Sequence, residues 1–235
     1  MISGQVKSRT RVTDHGEVYT NPREVNAMLD LVKDETERID SRFLEPACGH
    51  GNFLEAILER KLDAVERKYK KSRTEFETQG LLGLACIYGI DILEDNVIEA
   101  RHRLFDLFEK RYRKLFGNDT DYRFFDSIRY VLNRNILHGD ALTLKTVPSE
   151  QNLLEQNGRP TLDSLKNDGN AIVFSHWSFI DRERIKRHDY LFEHLVNRIG
   201  DGPLFSDQGE EAFIPKSVAE FPPVHYLDLS SAYED

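Results

Sequence analysis

Phe43-Leu44-Glu45-Pro46-Ala47-Cys48-Gly49-His50-Gly51-Asn52-Phe53 reads as a strand, a tight turn and the start of a helix. Phe43 and Leu44 end an apolar strand with Glu45 at its carboxyl end. Gly49 and Gly51 let the backbone turn sharply where a side chain would collide with a ligand. Directly behind the turn, Leu54, Ile57, Leu58, Leu62 and Val65 follow helical spacing. One face of that helix therefore packs on a sheet while its first turn points at the glycines. The pattern outlines a small-molecule site.

The same eleven residues resemble the cofactor-binding motif of S-adenosylmethionine-dependent methyltransferases. Their Leu-Glu-Pro-Ala-Cys-Gly-x-Gly-x-Phe form is typical of DNA adenine-N6 methyltransferases and of the modification subunits of restriction systems. His50 is the departure, standing where that family usually carries Thr or Ser. A glycine turn in some other Rossmann-like protein is the alternative. The resemblance implies that Glu45, Pro46, Ala47, Cys48, Gly49, Gly51, Asn52 and Phe53 hold S-adenosylmethionine.

Upstream, Tyr19-Thr20-Asn21-Pro22 opens a helix: Thr20 or Asn21 caps, Pro22 suits the first turn, and Val25, Met28, Leu29 and Val32 make an apolar stripe. Read alone, this is a capped helix docking on the sheet. The family's Tyr-Thr-Pro-x-x-Val segment is similar, with Asn21 inserted here, and it implies that Tyr19 and Thr20 close over the methionine end of the cofactor.

The second strand is expected over Cys86-Ile87-Tyr88-Gly89-Ile90-Asp91. An acid closing a second strand can accept hydrogen bonds from both ribose hydroxyls of a nucleoside cofactor. Asp91 takes that role or caps the next helix, and Ile92 would then lie against the adenine. The spacing from the glycines is long for a Rossmann unit, so the first helix is long or is followed by another. Asp95 or Asn96 starts a helix with the stripe Val97, Ala100, Leu104, Leu107 and Phe108. Tyr112, Phe116, Tyr122, Phe124, Phe125 and Tyr130 read as core around a turn at Gly117-Asn118. The third strand, Asn135 to His138, leads into Gly139-Asp140-Ala141-Leu142. The resemblance implies that Asp140, with Ala141 beside it, meets the cofactor's adenine amino group.

After a polar loop over about 148–170, the fourth strand is expected at Ala171-Ile172-Val173-Phe174, with Ser175-His176-Trp177-Ser178-Phe179 following. The family places Asn, Asp or Ser, two prolines and an aromatic here, so that a side chain and a prolyl carbonyl accept from the target amine. Ser175 can fill the first position, but His176 and Trp177 replace the prolines, so the rigid carbonyl geometry is not guaranteed. Ser175, His176 and Trp177 are the catalytic candidates, with Trp177 or Phe179 as the stacking face. The opposing reading makes Trp177 and Phe179 core, leaving a cofactor-binding shell.

Downstream, 180–199 reads as a helix with Ile185, Leu191, Phe192, Leu195 and Ile199 inward, and Val224 to Leu229 as a final strand. The resulting expectation is one domain over 1–235, a Rossmann-like, doubly wound, mostly parallel α/β sheet shortened at its carboxyl end. Residues 1–15 form a flexible arm, 16–40 the N-terminal helix, 41–199 the cofactor-binding core and 200–235 an acidic tail segment.

The net charge is −9, and residues 200–235 hold eight acids against Lys216 alone. An acidic tail on a near-neutral body leaves DNA contact possible but weak without help. Cys48 and Cys86 are too few for a disulfide framework, and no apolar run of secretory or membrane length occurs, so a cytoplasmic protein is expected. No metal-ligating set is expected. Three functions remain open: a DNA adenine-N6 methyltransferase or modification subunit needing a protein partner or self-association, a catalytically degenerate S-adenosylmethionine-binding subunit or decoy, and a methyltransferase with a non-DNA acceptor.

Overall fold

The computed structural model describes residues 20–147, 170–197, 200–205 and 211–233. The arm at 1–15, Tyr19, most of the polar loop and Ile199 lie outside these residues. Asn21 caps α1 (Pro22–Asp30) by accepting the Arg23 N–H at 2.9 Å. Only half of the expected stripe is buried: Val25 and Leu29 pack inward, while Met28 and Val32 are 55% and 45% exposed. The helix stops at Asp30, which takes Val32 off its face, and a short α2 (Lys33–Glu37) follows.

The glycine turn joins β1 (Phe43–Glu45) to α3 (Asn52–Tyr69). A second helix, α4 (Arg73–Ala85), capped by Ser72, precedes β2 (Ile87–Asp91). This helix pair accounts for the long spacing between the glycines and Asp91. Then come α5 (Glu94–Phe116), α6 (Tyr122–Asn135) and β3 (Ile136–Asp140). β1, β2 and β3 run parallel with β2 between the others, in register Glu45↔Gly89 and Asp91↔His138. Every residue of β2 is buried, as expected for a parallel strand covered on both faces. A two-residue β4 (Lys145–Thr146) pairs antiparallel on β3. The described residues thus form a Rossmann-like α/β arrangement with Glu45, Asp91 and Asp140 at the carboxyl ends of three adjacent strands.

The core gathers Leu54, Leu58 and Leu62 of α3 with Leu81, Phe108, Tyr112, Phe124 and Phe125. The aromatic residues expected in the core are there, Tyr122 excepted, which is exposed. One cation joins them. Lys61 is 0% exposed, and its ammonium donates to the carbonyls of Arg38, Ile39 and Ser41 at 2.8, 3.0 and 2.7 Å. It fastens the chain that enters β1 to the helix that leaves the turn.

Beyond residue 170 the architecture departs from expectation. β5 (Val173–Phe179) starts later and runs further than the expected fourth strand, and it pairs with β6 (Arg184–Leu191) as an antiparallel hairpin, from Val173↔Leu191 to Phe179↔Ile185. Among the described residues no strand lies on the outer edge of β1. The helix expected over 180–199 is therefore mostly strand, and only α7 (Phe192–Val196) is helical. The reason is a period of two: Ile185, Arg187 and Asp189 are buried, whereas Arg184, Lys186 and His188 are more exposed. A helical reading puts Arg187 on the solvent face. In the fold its guanidinium stacks over Phe221 at 4.0 Å and binds Asp189 at 2.8 and 2.7 Å.

A hairpin of β7 (Gly200–Phe205) and β8 (Glu211–Pro215) follows. β9 (Ala219–Glu220) and β10 (Val224–His225) then pair with β6. The expected final strand to Leu229 is thus two residues long and gives way to α8 (Leu229–Ala232). Tyr226 anchors this segment by donating to the buried Glu77, which also accepts from Tyr112 at 2.6 Å.

Candidate cofactor site at the glycine turn

The turn is fixed from both sides of the sheet. Cys48 donates its N–H to the Ile90 carbonyl at 2.9 Å, which ties the end of β1 to β2. Gly49 and Gly51 then take φ values of 52° and 89°, in the left-handed region that glycine adopts without strain. At Gly51 a Cβ would also stand 3.1 Å from the Ala100 Cβ, so the turn rests directly on α5.

Asp91 is 8% exposed, and its carboxylate organises the site. Oδ2 accepts the Gly49 N–H at 2.8 Å; Oδ1 accepts the Leu93 N–H at 2.9 Å and the Asn96 side-chain amide at 3.2 Å. It neither caps α5 nor stands free, because it binds the glycine turn to the loop after β2. A carboxylate has about four lone-pair directions, so Oδ2 retains one for a further donor.

Arg103 of α5 grips the turn from outside, donating to the His50 carbonyl at 3.0 Å and to Asn52 Oδ1 at 2.9 Å and pairing with Glu55. With its oxygen held, the Asn52 amide donates to the Thr20 carbonyl at 3.1 Å. Thr20 is thereby brought to the turn. His138 of β3 bonds through a ring nitrogen to the Ile92 carbonyl at 3.1 Å and joins the ends of two strands. Asp140 turns its Oδ1 to the Leu142 N–H at 2.8 Å. Ala141 is half-buried and Ile92 is exposed. Pro46 and Ala47 are exposed at the mouth of the turn, with Phe53 half-buried.

The resulting edge is acidic, with helix N–H groups behind it. Burial raises the Glu45 carboxyl, against a lowering hydrogen bond from the Ala47 backbone. Burial and the neighbouring Asp91 and Glu45 charges push the Cys48 thiol well above its usual value. Cys48 is thus a packed thiol rather than a nucleophile. Carboxylates at strand ends suit hydroxyls, amino groups and a positive centre, and the open backbone at the glycines suits close approach.

The fourth-strand candidates are placed differently. Ser175 is 0% exposed; its hydroxyl donates to Asp189 Oδ1 at 2.7 Å and accepts from Arg134 at 3.3 Å. Burial raises the Asp189 carboxyl, but hydrogen bonds from Arg187 and Ser175 outweigh it and hold the group low. Trp177 is 2% exposed, donates to Asn135 Oδ1 at 3.3 Å and packs edge-on to Tyr130. His176 points to the opposite side of β5, beside Tyr190 and His188. Burial, with Arg42 and His188 nearby, lowers its pKa to about 4.

Arg103 escaped sequence reasoning, and Asn96 and His138 were read only as a helix start and a strand end. Asn96 and Arg103 reach Asp91 and the turn from α5, His138 joins the strand ends from β3, and nothing local marks these roles.

No model of a known protein family matches the chain, and no solved structure matches it. No helix among the described residues is long and apolar enough to cross a membrane. One curated relative is the type II methyltransferase M.BstVI of Geobacillus stearothermophilus, 34% identical over 92 residues. The match covers 38% of this chain and 16% of the relative's length. That likeness, to a protein of which the match spans about a sixth, supports a methyltransferase relationship for this chain.

Proposed function

We propose that this chain binds S-adenosylmethionine at the Glu45–Phe53 turn and serves as a methyltransferase module of the DNA adenine-N6 type, akin to a modification subunit. The observation that carries the reading is the left-handed glycine turn bonded through Gly49 to Asp91, with Glu45 and Asp140 on the same strand edge. The methyltransferase relative points the same way. When bound, the cofactor supplies an electrophilic methyl group on a positively charged sulfur. In this reading Glu45 to Phe53 hold its methionine portion, with Tyr19 and Thr20 closing over that end. Asp91 offers its one remaining acceptor direction to a ribose hydroxyl, Ile92 flanks the adenine, and Asp140 and Ala141 meet the adenine amino group. Because the chain is acidic overall, target DNA is held with the help of a protein partner or a second copy.

A second reading, a cofactor-binding subunit without transfer of its own, is favoured by the burial of Ser175 and Trp177 within a satisfied polar network. Calorimetry with S-adenosylmethionine tests the common part: micromolar binding that Gly51→Val abolishes is expected, and no binding by the folded wild-type chain overturns both readings. Labelled methyl incorporation into unmethylated DNA then separates them. N6-methyladenine supports the first, and cofactor binding without incorporation, alone or with the partner, supports the second.

A further inference from the structure

Beside the outer edge of β1, which no described strand covers, lies a pocket of about 400 Å³, walled by Phe43, Tyr88, Phe174 and Tyr190 and carrying Arg42 and His176. We propose that it is a second binding site, for a small planar aromatic anion: one or two fused rings bearing a carboxylate or a phosphate.

The walls favour a flat ring. Tyr88 and Phe174 are buried and meet edge-on with centroids 5.3 Å apart, and Phe174 meets Phe192 in the same way. The Tyr88 hydroxyl is spent on the Ser175 carbonyl at 3.1 Å, which fixes its ring. Tyr190 stands edge-on to His176 at 6.3 Å. Such walls are formed before any ligand arrives and take up aromatic faces and edges. The volume suits one or two rings and is small for a longer molecule.

The polar groups favour an anion. Arg42 is exposed, and no hydrogen bond or ion pair of its guanidinium is found among the described residues. His176 likewise makes no hydrogen bond among the described residues, and it is neutral at physiological pH. Among the described residues no acidic side chain lines the pocket. A cation with no counter-charge, set beside a neutral imidazole that can donate one hydrogen bond, matches a carboxylate or phosphate attached to the ring. The site stands independently of the glycine turn and of the function proposed for it.

The test is an NMR titration of the whole chain, following the His176 ring resonances, with indole-3-carboxylate, benzoate and phenyl phosphate as probes. Cyclohexanecarboxylate and benzamide serve as non-planar and uncharged controls. At least one aromatic anion is expected to shift His176 with a dissociation constant below about 1 mM. Preference for carboxylate or for phosphate identifies the anion, and either supports the site. Arg42→Gln, at an exposed side chain without partners, leaves the fold intact and is expected to weaken binding about tenfold. The proposal is overturned by silence of His176 to every aromatic anion, by equal binding of either control, or by unchanged affinity in Arg42→Gln.

Discussion

Replacing Asp91 tests whether its carboxylate is the fastener of the glycine turn. Asp91→Ala removes the acceptor of three donors: Gly49 N–H at 2.8 Å, Leu93 N–H at 2.9 Å and the Asn96 amide at 3.2 Å. Hydrogen bonds to a charged group contribute about 1.5–3 kcal/mol each, but Leu93 borders the exposed Ile92, where water can replace the lost partner. A loss of about 3–5 kcal/mol is therefore expected. Asp91→Asn keeps the shape and one acceptor oxygen. With that oxygen toward Leu93 and Asn96, its amide faces the Gly49 N–H, donor against donor, for a loss of about 2–3 kcal/mol. Urea unfolding at neutral pH should rank wild type above Asn above Ala, with hydrogen exchange at Gly49 accelerating in the same order. Calorimetry on the still-folded Asn variant should show S-adenosylmethionine affinity reduced by about 1–3 kcal/mol beyond any unfolding. An Asp91→Ala protein within about 0.5 kcal/mol of wild type would refute the fastening.

The other expectations rest on single contacts. Gly51→Ala forces a side chain into φ 89° with its Cβ 3.1 Å from that of Ala100, and should cost about 1–3 kcal/mol by thermal unfolding; an unchanged melting temperature contradicts the turn geometry. Asn52→Ala removes the link to the Thr20 carbonyl, so trypsin should cut faster at the exposed Arg23 while global stability shifts by less than about 1 kcal/mol. Equal cleavage rates would show that Asn52 does not hold the segment. Lys61→Met leaves three carbonyls without their ammonium donor and should destabilise the fold at neutral pH by about 1–3 kcal/mol.

Lys61 also sets a pH dependence. Burial lowers its pKa from 10.5 to about 8 in the folded chain. Between those values the unfolded chain binds the extra proton, so this group's contribution to stability rises with pH across that window. Below it both states are charged and the penalty of the buried ammonium is complete. The wild-type stability minus that of Lys61→Met should therefore climb from pH 8 to 10.5, and a flat difference contradicts the assignment.

The glycine turn and its two flanking elements were legible because their information is local. Gly49 and Gly51 mark the backbone conformation, and Leu54, Ile57, Leu58, Leu62 and Val65 mark the buried helix face. β2 and β3 were legible for the same reason, as short apolar runs closed by Asp91 and by Gly139-Asp140. Residues 184–191 were not. Ile185 and Leu191 fit a helix stripe as well as a strand alternation, and the deciding residues are charged. Arg187 and Asp189 become inward-facing only because Phe221, Tyr130 and Arg134 arrive from elsewhere to satisfy them.

The sequence by itself determined that a strand ends at Glu45 and that the chain turns there through two left-handed glycines. Short-range sterics and periodicity impose these features whatever surrounds them. The tertiary structure decided which partner each polar group takes. It committed the Asp91 carboxylate to joining the turn with the loop after β2, buried Ser175 and Trp177, and turned His176 outward into an aromatic pocket at the edge of β1. Those outcomes depend on contacts between residues tens of positions apart, where the cost of an unsatisfied buried polar group, rather than any local pattern, selects the packing.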